Sequence, residues 1–118
     1  MQGLNKVMLI GNLGKDPEIR YFEENVPKVR FSIATTEYYK DKNGNRSEQT
    51  EWHSVVMWRA MAENAHKLLK KGMRVYIEGK IQTNQWTDKD GHKKTSVEVV
   101  ADHFILLTPK TDDQSSGQ

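Results

Sequence analysis

Cysteine is absent from this 118-residue chain, which excludes disulfides and thiolate catalysis and makes a reducing cytoplasm the default compartment. Long apolar runs are missing too. Nothing approaches the roughly 20 residues of a membrane span, and Lys6 precedes only Val7 to Ile10, too short for the apolar core of a secretory leader. Charge of one sign is not in excess: 18 Lys+Arg against 16 Asp+Glu leave +2. Any polyanion partner would therefore depend on where the cations sit rather than on their number. The histidines (His53, His66, His92, His103) are scattered without His-x-Glu or His-Glu-x-x-His spacing. Gly11-Asn12-Leu13-Gly14 lacks the Gly-Lys-Ser/Thr of a nucleotide-binding loop, and Glu23-Glu24 reads as a solvated loop. No catalytic group, cofactor or metal is expected, and no repeat is visible. The length suits one domain.

What the chain does have is alternation. Thr50 to Trp58 is rich in β-branched and aromatic residues and reads as a strand. Side chains alternate faces along it, so Trp52, Ser54, Val56 and Trp58 point one way and His53, Val55 and Met57 the other. Two indoles on one face form either a π surface several bases long or part of a core. Lys28 to Tyr39 alternates most cleanly, with Val29, Phe31, Ile33 and Thr35 inward and Lys28, Arg30, Ser32 and Ala34 outward. Asn43-Gly44 is a hairpin signal that folds this strand back onto the one carrying the indoles. Tyr38, Tyr39, Lys40, Lys42 and Arg46 would then lie on the hairpin arms.

Before this hairpin, Asn5 to Leu13 reads as a strand with a bend at Gly11 and Gly14. Ile19 to Phe22 resumes it after the Lys15-Asp16-Pro17-Glu18 turn, and Glu23 to Pro27 is a polar loop. After it, the period changes: Ala60 to Lys71 places Met61, Ala65, Leu68 and Leu69 on one side of a helix stopped by Gly72. Met73 to Gln85 is the next strand. Asp90-Gly91 turns it into a returning strand from Thr95 to Leu107. Trp86 lies beside that hairpin tip, a poor place to fill a core, so its exposure is expected. Pro109 to Gln118 has the composition of a flexible tail.

Strand, strand, strand, helix, strand, strand is the order of an OB-fold: all-β with one short helix, a five-stranded antiparallel barrel with long hairpin arms. Such barrels bind oligonucleotides across strands two and three, where the aromatics lie here; the fold alone does not fix function.

The segments Asn5 to Tyr21, Gln49 to His53, Lys71 to Lys80, Trp86-Thr87-Asp88 and Glu98-Val99-Val100 resemble, in order, motifs of bacterial single-stranded DNA-binding proteins. The resemblance runs from about Leu4 to Leu107. It implies a cytoplasmic, nucleoid-associated homotetramer that binds single-stranded DNA without sequence preference in replication, repair and recombination. It places the DNA-binding domain at 1–108, with a tail at 109–118 that lacks the acidic, Phe-terminated tip through which relatives recruit replication and repair proteins. It assigns base stacking to Trp52, Trp58, Trp86 and the Tyr38-Tyr39 pair, Tyr39 being the better match. Phosphate contacts fall to Lys6, Lys42 and Lys71, and Arg59, Arg74 and Lys93 complete the basic set. His53 matches a position near a subunit interface. The chain departs from the family at Gln82, Asn84 and Gln85, which replace basic residues before the last Trp, and at Ser54, Ala60 and Leu68. Fewer phosphate contacts imply a shallower salt dependence. An RNA-binding or replication-restart OB module would stack bases in the same way, and a protein-binding OB adaptor requires the indoles to be buried.

Overall fold

Strand formers dominate the computed structural model, which describes residues 2–108; the expected tail at 109–118 lies outside the described residues. The elements are β1 (Val7–Leu13), β2 (Glu18–Phe22), β3 (Val26–Lys40), β4 (Arg46–Trp58), α1 (Arg59–Leu68), β5 (Arg74–Thr87) and β6 (Lys93–Leu106). The sheet order β1-β5-β6-β4-β3-β2 closes through an added β1–β3 pairing at Asn12↔Ala34 and Leu13↔Ile33. The closed ring is therefore β1, β5, β6, β4 and β3, with α1 between its third and fourth strands in chain order and β2 hairpinned onto β3. Its pairings are antiparallel except β4–β6, a short parallel contact at Val55↔Val99 and Val56↔Val100.

The inward residues of each strand make one core. Leu13, Val29, Phe31, Ile33, Val55, Met57, Val75, Ile77, Val99 and Ala101 are buried together. Gly11 and Gly79 permit closure. A β-carbon at Gly11 would stand 2.3 Å from the Ala34 carbonyl oxygen, and one at Gly79 would stand 2.2 Å from that of Val100.

Several local expectations change. The helix ends at Leu68 rather than Lys71, because Leu69 turns extended and is wholly buried while its N–H still bonds the Ala65 carbonyl. Ala62, Ala65 and Leu69 fill the core, whereas Leu68 is exposed. Gly72 accordingly serves the turn into β5, with φ +89° and its N–H on the Leu13 carbonyl. Glu23 to Pro27 is not a loop throughout either, since β3 already starts at Val26. Glu24 and Asn25 both take left-handed φ (62° and 59°) and the Val26 N–H bonds the Glu23 carbonyl, so β2 and β3 meet in a tight I′-type turn without glycine.

The β3–β4 and β5–β6 hairpins share one turn. In each, an aspartate Oδ1 accepts the amides two and four residues on: Asp41 from Asn43 and Asn45, Asp88 from Asp90 and His92. Gly44 and Gly91 adopt φ +80° and +83° while Asn43 and Asp90 do not take positive φ. That is a type I turn followed by a left-handed glycine, not the two-residue turn that Asn-Gly suggests. The tips consequently project Lys42 and Lys89 at matching positions.

Candidate nucleic-acid interface

Register decides which side chains share a face. Lys28↔Trp58, Arg30↔Val56, Ser32↔Ser54, Ala34↔Trp52 and Tyr38↔Glu48 pair across β3 and β4, so Trp52, Trp58 and Tyr38 lie on the barrel's outer side. The parallel pair Val56↔Val100 and the pairs Gln82↔Glu98 and Trp86↔Lys94 carry that side through β6 to β5. The three indoles thus stand on one continuous surface, exposed by 58% at Trp52, 39% at Trp58 and 51% at Trp86. The core reading of the tryptophans is excluded: the interior beneath them is filled by Val55, Met57, Phe31 and Ile33.

Of the two β4 indoles Trp52 lies at the end toward Trp86, its ring against the bare Cα of Gly14; a β-carbon there would sit 2.6 Å from the ring. The benzo end of the ring is therefore held against β1's end, and the indole borders a cleft of about 460 Å³ lined by Gly14, Lys15, Asp16, Glu18, Arg30 and Ser32, among others. Trp58 lies at the other end, its ring centroid 5.7 Å from that of Phe22, with Lys28 Nζ 5.0 Å above it. The two indoles are six positions apart on the strand, about 20 Å along the chain.

Between them the surface is polar, not flat aromatic. Val56, expected to share the open face, is 1% exposed. Arg30 on β3 reaches across β4 to Glu98 on β6, its Nη2 2.5 Å from Oε2, while Asn84 Nδ2 donates to Oε1 at 2.6 Å. The guanidinium stem must cross β4 where Val56 pairs with Arg30. Glu98 is buried, and both its oxygens are occupied, as a buried carboxylate requires.

The basic positions divide. Lys42 is carried at the tip of the β3–β4 arm, and Arg59 follows Trp58 directly with φ +62°. The amide of Lys71 donates to Asp16 Oδ1 at 2.8 Å, which sets this lysine beside the Trp52 cleft. Lys6 is engaged on the β1–β5 side. Its Nζ lies 2.6 Å from Glu78 Oε2, and Tyr76 donates to the same carboxylate at 2.7 Å. These bonds raise the Lys6 ammonium and the Tyr76 phenol above their ordinary pKa and hold Glu78 below its own. Arg74 shares that side of β5 with Glu78, its amide bonded to Thr108 Oγ1. Lys93 pairs with Thr87, on the alternate position to Trp86, whereas Lys94 stands opposite Trp86; both lysines and Trp86 line one shallow pocket at the arm. Tyr39 falls on the reverse face with Ser47, and Tyr38 joins the tryptophans, its ring 4.4 Å from the Arg46 guanidinium.

Sequence reasoning passed over Phe22, Lys28, Arg30, Lys89 and Lys94 as site residues. Outward alternation marked Lys28 and Arg30, but only pairing shows what they face. His53 lies in the inward row, half-buried, with Nε2 2.9 Å from Thr35 Oγ1. At the β5–β6 tip Asp88, Asp90 and His92 bring ligand atoms within 4.8 Å of one another. There Asp88 Oδ1 already closes the turn.

A closed five-strand barrel with exposed stacking rings across its second and third strands defines an OB-type oligonucleotide-binding domain. The family model described as "Single-strand binding protein family" matches residues 4–107, and the chain belongs to that family. It is 46% identical over 118 residues to single-stranded DNA-binding protein 1 of Xylella fastidiosa, covering 99% of this chain and 87% of that protein. It is also 46% identical over 114 residues to the single-stranded DNA-binding protein of Neisseria meningitidis serogroup A, covering 97% of this chain and 66% of that one. Among solved structures, a Plasmodium falciparum SSB complex with ssDNA superposes with a TM-score of 0.83 at 31% identity, over 91% of this chain and 97% of that one. A deletion mutant of the Thermus aquaticus single-stranded DNA binding protein gives 0.79 at 33% identity, over 92% and 53%.

Proposed function

We propose that this chain binds single-stranded DNA without sequence preference and serves replication, repair and recombination. The observation that carries this is the common outer face of Trp52, Trp58, Trp86 and Tyr38, all substantially open to solvent. Every base offers a π face, so ring stacking is indifferent to sequence and contributes about 1–3 kcal/mol per base. Duplex DNA hides those faces. Lys42, Arg59 and Lys71, with Lys94 and Lys89, supply phosphate contacts whose counterion release makes affinity fall with salt. Tyr39, Lys6 and Arg74 would contribute only if the strand wraps from the indole face to other sides of the barrel. The activity is binding, not catalysis, and residues 4–107 carry it.

The chain also forms a homo-oligomer, a tetramer by family likeness. What supports this is an open edge: Val7 to Gly11 pairs with β5 alone, and Met8, Ile10 and Ile105 are exposed apolar side chains on the adjoining surface. The proposed setting is the bacterial cytoplasm, at the nucleoid. Among the described residues no helix is long and apolar enough to cross a membrane.

Titration with oligo-dT at low salt tests the binding. Tryptophan fluorescence should be quenched to saturation, and duplex of equal length should compete poorly. Unchanged fluorescence, or equal competition by duplex, would remove the stacking mechanism. Matched RNA oligomers in the same competition distinguish the DNA reading from an RNA-binding one.

A further inference from the structure

The β2–β3 hairpin carries a second group of cations and rings that the indole row does not use. Pairing of Glu18↔Arg30, Arg20↔Lys28 and Phe22↔Val26 sets these side chains on the outward side. Glu18, Arg20, Phe22, Lys28 and Arg30 line one pocket of about 140 Å³, three cations against a single acid. The pocket abuts the indole surface, because Phe22 packs at 52° against Trp58 and Lys28 Nζ lies over both rings, 5.0 Å from the Trp58 centroid and 5.8 Å from that of Phe22. Arg30, at the pocket's other end, is pinned through one terminal nitrogen by buried Glu98, while its side chain is still half exposed. A guanidinium has five donors in a fixed fork. Anchoring it through one end presents the rest to solvent in a set orientation.

We propose that this pocket is an additional subsite for the same DNA strand, taking a nucleotide beyond Trp58. Its base stacks on the half-exposed Phe22 ring, and the flanking phosphates are received by Arg20 and Lys28, with Arg30 holding the strand between Trp58 and Trp52. The inference rests on the single-strand reading above. Charge complementarity and direct continuity with Trp58 identify the occupant. A cation over an exposed ring is held weakly. The arriving base displaces the Lys28 ammonium from the two rings, and the attached phosphate receives it. Glu98 and Asn84 touch no nucleotide in this arrangement; they position Arg30.

The test is fluorescence anisotropy of labelled dT oligomers across a salt series, comparing the wild-type chain with Phe22→Ala, with the double variant Arg20→Gln/Lys28→Gln and with Trp52→Ala. The double variant should flatten the plot of log affinity against log salt by about 1.4, at about 0.7 per phosphate contact on a single strand. Phe22→Ala should weaken binding roughly five-fold or more while keeping the wild-type slope. If both variants keep wild-type slope and affinity while Trp52→Ala is weakened, the subsite is refuted and the indole face stands. If the wild-type chain does not bind dT even at low salt, both fall together.

Discussion

Replacing Gly14 by Ala tests the site without replacing any side chain proposed to contact DNA. Gly14 is not among the glycines with positive φ, so alanine is allowed by the backbone, and its amide keeps the bond to the Ser32 carbonyl at 3.1 Å. The new methyl would lie 2.6 and 2.8 Å from two atoms of the Trp52 ring. Restoring van der Waals contact requires the indole to move by roughly 1 Å. Overpacking of this kind costs about 1–3 kcal/mol. Against it stands about 0.4–1 kcal/mol from restricting the unfolded chain at a compatible glycine. Net stability should therefore fall by no more than about 2.6 kcal/mol, leaving a folded protein. Binding should suffer more visibly. If the displaced ring loses its base, the loss is about 1–3 kcal/mol, a five- to 150-fold weakening. Urea denaturation gives the first quantity and oligo-dT titration the second. Wild-type affinity for Gly14→Ala alongside a strongly weakened Trp52→Ala would show that the glycine does not set the ring's position, and the argument from close approach would fail.

Other substitutions probe other links. Glu24→Gly, at φ 62° in the β2–β3 turn, should stabilise by about 1 kcal/mol through relief of left-handed strain; that is a rise of about 4–5 °C in Tm, and an unchanged or lower Tm would contradict the turn assignment. Arg30→Leu strands the buried Glu98 carboxylate and should destabilise by about 1–3 kcal/mol, most of it recovered in Arg30→Leu/Glu98→Leu; additive losses in the double-mutant cycle would deny the coupling. The Glu78 carboxyl, held down by Lys6 and Tyr76, should titrate below the ordinary glutamate range by NMR. Because its folded pKa is depressed, the stability it contributes is present above the ordinary value and lost as pH falls through the depressed one; Lys6→Met should move the midpoint upward, and no movement would exclude the ion pair.

Much of the architecture could be read from local chemistry. The strict alternation of Val29, Phe31 and Ile33 marked the buried face of β3, and the shift of period after Trp58 marked the helix. Asp-x-Asn-Gly and Asp-x-Asp-Gly marked both long hairpins, though not the type of turn. The Glu24-Asn25 turn was illegible because Glu24, unlike Asn25, is not a usual left-handed choice; the barrel imposes that conformation by pairing Phe22 with Val26. The helix end was misplaced because periodicity continues through Leu69 to Lys71, while the core claims Leu69 in an extended conformation.

By itself the sequence determined which residues alternate, where the chain reverses, and that two indoles share one side of a strand. Only the tertiary structure decided which of those rings look the same way. Facing depends on register between strands far apart in sequence, and a one-residue slip would exchange Tyr38 for Tyr39 or Lys94 for Lys93. The Arg30–Glu98–Asn84 bridge likewise needs three strands side by side. Its members lie up to 68 positions apart in the chain, so no local pattern could announce it.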